Sequence, residues 1–183
     1  NGTLIFDNCT FNNPNGAYSI HFDGGTGDIV FKNCHLYGWN SFASALNSVT
    51  FENCSLEGNG LYALIRSYAD LTLTNCTINV SNSNLTDTWP DGIQVISDAK
   101  LTENNVVYEI ASKAAMFWFA NQVNVSKNAF SGKTVKLAAN IDLENADWEP
   151  IGQTGATTFD GIFDGQNYTI YNLNVDSEAQ TGG

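Results

Sequence analysis

One phrase of six residues recurs four times in the first half of the chain. It reads apolar, any residue, Asn, Cys, any residue, apolar, and it occupies residues 6–11, 31–36, 51–56 and 73–78. The cysteines of successive copies are 25, 20 and 22 residues apart. Repeats of this length without helical heptads between them indicate a solenoid, in which each repeat stacks on the next. The repeat therefore restricts the chain to an architecture of stacked units.

Each copy has the pattern of two strands joined at a bend. Apolar residues two apart, such as Leu4 and Phe6, place one face of a strand inward. The interval widens to three between Phe6 and Cys9, so the chain turns at the Asn before the alternation resumes. Asn suits the bend because it adopts left-handed backbone conformations more readily than most residues. The pattern predicts columns of identical residues, including an amide ladder of Asn8, Asn33, Asn53 and Asn75.

A third strand in each repeat is predicted at residues 18–22, 61–65 and 92–96. Three strands per turn, linked by Gly-, Asn- and Ser-rich stretches, are typical of a right-handed parallel β-helix. The leucine-rich repeat is the rival solenoid, but the extra leucine before its strand pair and its outer helix are both missing from the sequence. A degenerate fifth copy at residues 101–106 places Asn104 at the cysteine position. We therefore predict an all-β fold, a right-handed parallel β-helix of about five coils.

The four cysteines, one in each copy, are predicted to be free thiols. Stacked in register, their side chains point the same way and their Cβ atoms lie about 4.8 Å apart, which is wider than the spacing in a disulfide. Thiolates repeated along a stack also cannot surround one metal ion tetrahedrally. An inward-facing thiol packs as a small apolar group. The predicted column consists of Cys9, Cys34, Cys54 and Cys76.

The sequence changes character after residue 107. Residues 112–124 form a good helical stretch with Ser112 at its N-cap. We expect this helix to cover strand edges at a junction between two modules. Beyond it, a second β-helix is predicted to start near Gly132, and Asn172 takes the ladder position in a phrase that repeats the earlier pattern. The predicted domains are residues 1–107, the C-terminal part of a longer parallel β-helix, and 108–183, the capping helix with the first coils of a second module.

Composition excludes several classes of function. The net charge is −12 with only seven Lys and Arg residues, which argues against binding to nucleic acid or to an anionic membrane. No apolar run approaches the roughly 18 residues of a membrane span, so no membrane insertion is expected in this segment. High Asn, Thr and Gly with an acidic surface favour an extracellular or bacterial cell-surface location. The chain starts within a repeat, and we expect it to be a piece of a longer protein.

The Asn-Cys copies resemble those of pectin-lyase-like right-handed β-helix proteins. Residues 132–135, 148–152, 163–166 and 170–173 are similar to the opening of β-helix modules in large surface proteins of gut bacteria. The resemblance implies adhesin-like modules that often occur in tandem. It is specific for architecture, whereas one fold hosts many activities.

The fold implied by this resemblance includes enzymes. A pectate lyase needs clustered Asp ligands for Ca²⁺ and a basic residue that abstracts a proton. Arg66 is the candidate base, with Asp23 and Asp91 as candidate neighbours, but an Arg at a strand end is more often a structural ion-pair partner. We therefore predict no catalytic residue and retain a polysaccharide lyase or glycoside hydrolase as the alternative. The Phe-Asp-Gly turns of Asp160 and Asp164 leave Ca²⁺ open as a cofactor, and no other cofactor or metal site is predicted.

The aromatic residues of two connections give the better functional prediction. Trp89 lies between Asp87 and Asp91 in the longest predicted loop, and Tyr37 and Trp39 occupy the equivalent connection two coils earlier. Exposed aromatic rings with acidic neighbours are typical of surfaces that bind sugars or proteins, and loops on a rigid scaffold tend to carry binding. We predict a non-catalytic adhesin or stalk module that binds carbohydrate or a host surface protein through these five residues.

Overall fold

The computed structural model describes residues 2–13, 18–43, 45–58, 64–80, 96–97, 101–152 and 158–175. The strands in chain order are β1 (Gly2–Asp7), β2 (Thr10–Asn12), β3 (Tyr18–Phe22), β4 (Gly27–Lys32), β5 (His35–Tyr37), β6 (Trp39–Phe42), β7 (Ser48–Glu52), β8 (Ser55–Glu57), β9 (Ile65–Ser67), β10 (Asp70–Thr74), β11 (Thr77–Asn79), β12 (Ile96–Ser97), β13 (Leu101–Asn104), β14 (Val107–Ile110), β15 (Thr134–Leu137), β16 (Ile141–Asp142), β17 (Ile162–Asp164) and β18 (Ile170–Tyr171). The helix α1, Lys113–Asn124, lies between β14 and β15.

The strands form three parallel sheets and one small sheet. The first sheet has the order β1-β4-β7-β10-β13, the second β2-β5-β8-β11-β14-β15-β17 and the third β3-β6-β9-β12, while β16 and β18 form the small sheet. In the first and third sheets, neighbouring strands are three places apart in the chain, as expected when each repeat contributes one strand to each sheet. The prediction of parallel sheets built from the repeats, with one helix, is therefore confirmed. The number of coils and the closure of the sheets into a solenoid stay predictions.

The repeats align in register, so equivalent residues lie side by side. In the first sheet Phe31 pairs with Phe6 on one side and with Phe51 on the other. The rings of Phe31 and Phe51 are fully buried and stack with their centroids 4.7 Å apart and their planes at 9°. Each ring thus covers the next, and the column removes apolar surface from water in the middle of the first sheet.

The predicted bends are formed by Asn residues in the left-handed conformation. Asn8, Asn33, Asn53 and Asn75 have φ values between 53° and 55°. The amide Nδ2 of Asn53 donates to Oδ1 of Asn33 over 3.4 Å, and that of Asn75 donates to Oδ1 of Asn53 over 3.2 Å. The ladder continues to Asn105, whose amide donates to Asn75 over 3.1 Å. The prediction that Asn8 belongs to the ladder is wrong, because the amide of Asn33 donates to Oδ1 of Asp7 over 2.9 Å. From Asn33 to Asn105, the same residue type makes both the bend and the contact between repeats.

The prediction that Asn104 takes the cysteine position is wrong. Strand pairing sets Asn104 opposite Thr74, so Asn105, with φ 52°, takes the ladder position. Val106, the next residue in the chain, takes the cysteine position and is buried. The cysteine position faces the interior, where an unpaired amide would lose its hydration, and an apolar residue occupies it instead.

The four cysteines are free thiols. Cys34, Cys54 and Cys76 are buried, and Cys9 in the first copy is partly exposed. The thiol of Cys54 donates to the carbonyl oxygen of Glu52 over 3.3 Å, and the other three make the same contact two residues back in the chain. Contact with the thiol of Cys76 and burial both raise the pKa of Cys54 above its ordinary value, so this thiol stays protonated and packs as an apolar group.

The predicted helix is confirmed as α1. The hydroxyl of Ser112 accepts a hydrogen bond from the backbone N–H of Ala115 over 3.1 Å, which satisfies one of the free N–H groups at the start of the helix. The rings of Trp118 and Phe119 pack edge-on against Phe130, with centroids 6.1 and 5.3 Å away. The buried face of the helix consists of Ala115, Met116, Trp118, Phe119, Ala120 and Val123.

Two of the strands after the helix extend the second sheet. β15 pairs with β14, and β17 pairs with β15. The second sheet therefore continues across the predicted boundary at residue 107, and the division into two modules stays a prediction. Asn172, which follows β18, also has a left-handed backbone with φ 56°, but its amide donates to Asp142 over 2.7 Å. It thus belongs to the small sheet and not to the ladder of the first four copies.

Candidate functional site

Polar residues form a column on the outer face of the third sheet. Neighbouring residues in a strand point to opposite faces, and Phe42 and Ile65 belong to the hydrophobic core. Ser41 and Arg66, which neighbour them in sequence, therefore face outward. Strand pairing places Ser41 between His21 and Arg66. The outer face of this sheet thus carries a hydroxyl and two nitrogenous side chains in one line.

Aromatic rings adjoin this column and stack on one another. The ring of Tyr18 lies against that of Trp39, with centroids 4.2 Å apart and planes at 18°, and against the imidazole of His21, at 4.0 Å and 6°. The guanidinium carbon Cζ of Arg66 lies 4.6 Å from the centre of the Trp39 ring and 5.9 Å from that of Tyr68. We call this series the aromatic–arginine stack, and its members in order are His21, Tyr18, Trp39, Arg66 and Tyr68.

Hydrogen bonds hold the polar ends of the stack. Nη2 of Arg66 donates to Oγ of Ser41 over 2.9 Å, which together with the Trp39 ring fixes the guanidinium plane. Nε of Arg66 has no hydrogen-bond acceptor among the described residues. Nε2 of His21 lies 2.7 Å from Oδ1 of Asp23, whose side chain is largely exposed, so this pair contributes little to stability. The arrangement holds the guanidinium beside the aromatic rings, and its Nε is buried.

The members of the stack differ in exposure, and this divides their roles. Trp39 is only 7% exposed, whereas Tyr68 is 54% exposed. The buried indole of Trp39 and the guanidinium of Arg66 attract each other by about 0.5–2 kcal/mol. Trp39 therefore serves to position its neighbours in the stack. Tyr68 and the partly exposed Arg66 are the members of this part of the stack that a ligand can contact.

The structure describes two of the five predicted binding residues and separates them. Trp39 lies in the aromatic–arginine stack, but Tyr37 lies in β5 of the second sheet. Gly38 between them has φ 125°, a conformation that favours glycine, and it turns the chain from one sheet to the next. Asp87, Trp89 and Asp91 lie outside the described residues.

Sequence reasoning missed Tyr18, His21 and Tyr68. Tyr18 and His21 are three residues apart, and in a regular strand they would face opposite sides. The register of β3 shifts between Tyr18 and Ile20, and this irregularity brings the two rings to one face. Tyr68 could have been found, because it lies two residues beyond Arg66 and alternation places both on the same side. Arg66 is the candidate base of the lyase alternative, and its guanidinium donates to Ser41.

The described residues contain no group of three or more His, Cys, Asp or Glu side chains arranged to hold a metal ion. Asp160 accepts a hydrogen bond from Oγ of Ser131 over 2.8 Å. The backbone N–H and the side chain of Gln166 both donate to Asp164, and these bonds lower the pKa of that carboxyl group. Both carboxylates thus bond to neighbouring turn residues, and the Ca²⁺ prediction stays a prediction.

Comparison with known proteins supports the fold of the first repeats. Residues 1–80 match the family model described as a right handed beta helix region, which covers β1 to β11 and includes the aromatic–arginine stack. No curated protein and no solved structure matches the chain. Within the part that the structure describes, no helix is long and apolar enough to cross a membrane.

Proposed function

We propose that this chain is a non-catalytic β-helix module of a bacterial surface protein, and that it binds carbohydrate on the outer face of the third sheet. The observation that carries the proposal is the aromatic–arginine stack, in which Tyr68 is exposed beside the guanidinium of Arg66. Sugars have apolar ring faces and polar rims. Aromatic side chains with a polar edge, placed beside a fixed hydrogen-bond donor, match both features.

The stack is organised before a ligand arrives. Trp39 contacts Tyr18 as well as Arg66, and Ser41 accepts a hydrogen bond from the same guanidinium. Side chains that are already held lose little conformational entropy on binding, so more of the contact energy is available as affinity. Arg66 is partly exposed, and the N–H groups of its guanidinium other than Nε suit a sugar hydroxyl or carboxylate.

The surface location is proposed from composition and architecture together. The net charge of −12 keeps such a chain soluble and disfavours association with nucleic acid. Stacked parallel repeats contact only their neighbours, so they form an extended and rigid support for a binding site. These properties suit a stalk or adhesive module.

Glycan-array screening followed by calorimetry tests the proposal. We expect at least one glycan to bind, and we expect Tyr68→Ala and Arg66→Gln each to weaken the affinity about ten-fold or more, equivalent to about 1.4 kcal/mol. Tyr37→Ala is the matched control, because it removes a partly exposed aromatic ring from the second sheet and should leave the affinity unchanged. Circular dichroism of each variant checks that the fold is retained.

Two results would contradict the proposal. The first is that no glycan binds. The second is that Tyr68→Ala and Tyr37→Ala reduce the glycan affinity equally. Turnover of an acidic polysaccharide, assayed with and without Ca²⁺ and abolished by Arg66→Ala, would instead favour a lyase or hydrolase.

A further inference from the structure

An ionisable side chain interrupts an apolar column of the first sheet. Strand pairing aligns Glu103 of β13 with Leu73, which in turn pairs with Phe51. Phe51 and Leu73 are fully buried. The side chain of Glu103 is only 8% exposed, so a carboxyl group occupies a position that the other repeats fill with an apolar residue.

Two polar groups meet this carboxyl group, one at each oxygen. The hydroxyl of Tyr108 donates to Oε1 of Glu103 over 2.5 Å. Nζ of Lys133 contacts Oε2, and the side chain of Lys133 is 23% exposed. Lys133 lies 30 residues beyond Glu103 in the chain, immediately before β15. The amine and the carboxyl group therefore come together only through the fold.

Aromatic rings surround the contact. Nζ of Lys133 lies 5.8 Å from the centre of the Tyr108 ring and 5.9 Å from that of Phe130. Trp118 packs on both rings, at 5.9 and 6.1 Å. Burial and the neighbouring charge of Glu103 raise the pKa of Tyr108 well above its ordinary value, so its hydroxyl remains a donor at neutral pH. An ion pair in such surroundings loses most of its hydration.

We propose that Lys133 and Glu103 form a covalent amide between Nζ and Cδ. The first step is the transfer of a proton from Nζ to Oε2, which places an uncharged amine beside a carboxylic acid. The lone pair of Nζ attacks Cδ, and the bond between Cδ and Oε2 breaks. Oε2 leaves as water with the proton it carries and one from the amine, so atoms balance and no oxidant or reductant takes part. The hydroxyl of Tyr108 stabilises the negative charge that develops on Oε1.

The structure contains an internal control for this reaction. Lys136 and Glu109 also pair between β14 and β15, with Nζ and Oε1 2.8 Å apart. Their side chains are 32% and 24% exposed, so water competes for the ion pair and stabilises both charges. This second pair is expected to remain ionic. Burial of the carboxyl group and a donor on its second oxygen therefore distinguish the reactive pair.

Mass spectrometry of the purified protein tests the proposal. The intact chain should be lighter than its sequence by the mass of one water molecule. Trypsin cleaves after Lys and Arg unless the side chain is acylated, so the amide should yield residues 101–113 joined to residues 128–136. Lys133→Met and Glu103→Leu should each have the full mass of their sequences, while Lys136→Met should retain the loss. Tyr108→Phe should slow the loss of water several-fold during incubation after purification.

A chain of full mass that yields free peptides 101–113 and 128–133 would overturn the proposal and leave an ion pair. A loss of water without the joined peptide would also overturn it, because dehydration at an Asp-Gly pair gives the same mass. Joined peptides that contain Lys136 instead of Lys133 would contradict the role assigned to burial. This test is independent of glycan binding, since the amide and the aromatic–arginine stack lie in different sheets.

Discussion

The inner column of the first sheet differs between its middle and its far end. In β4, β7 and β10 the same inward position holds Phe31, Phe51 and Leu73, all fully buried. In β13 it holds Glu103, which bonds to Tyr108 and Lys133. Repetition of an apolar residue at this position defines the stack. The ionisable side chain occurs where that repetition is broken.

A substitution in the middle of the column should have the largest effect. Phe51→Ala removes a buried ring that stacks on Phe31 and leaves a cavity, so we expect a loss of about 3–5 kcal/mol in the free energy of unfolding, measured in urea. Thr50→Ala, on the outer side of the same strand, is the control and should change stability by less than about 0.5 kcal/mol. Similar losses for the two variants would show that the column is not the core.

Substitutions at the bends should lower the free energy of unfolding less than substitutions in the core. Asn53→Ala places a residue without a polar side chain at φ 54° and removes the amide contacts to Asn33 and Asn75. We expect a loss of about 1–3 kcal/mol, since L-residues other than Asn and Gly are strained there. Asn53→Gly keeps the backbone conformation, so its loss of stability should be smaller than that of Asn53→Ala. If Ala is tolerated as well as Gly, the left-handed bend does not determine stability.

The smallest effect should come from Tyr108 and should be confined to alkaline pH. Burial raises the pKa of this phenol in the folded state, so the unfolded chain releases its proton first. Stability is unaffected below the ordinary phenol pKa of about 10 and falls as pH rises above it. Tyr108→Phe should flatten this decline in urea unfolding curves. If the stability of the variant falls equally steeply, a group other than Tyr108 causes the loss of stability at alkaline pH.

The repeated part of the fold could be predicted from sequence because its signals are local. Asn before Cys marks each bend, and apolar residues two apart mark the strands, so the ladder and the thiol column follow from one phrase. The helix was predicted from Ser112 and the residues after it. The degenerate copy was misread by one residue at Asn104, and aligning Asn105 with the ladder would have shown Glu103 in the apolar column.

The candidate sites were harder to predict because they depend on the irregular parts of the fold. Tyr18 joins His21 on one face only through a shift in register, which alternation does not indicate. Lys133 reaches Glu103 after a helix and 30 residues of chain, a contact that no local pattern encodes. The separation of Tyr37 from Trp39 depends on the turn at Gly38.

The most direct test of in-register stacking is a nuclear Overhauser spectrum of the phenylalanine rings. The ring of Phe31 lies 5.1 Å from that of Phe6 and 4.7 Å from that of Phe51, measured between centroids. We predict cross-peaks from Phe31 to both rings and none from Phe31 to the methyl group of Thr50, which faces the other side of the sheet. Cross-peaks to Thr50, or the absence of both ring contacts, would contradict the parallel in-register stack.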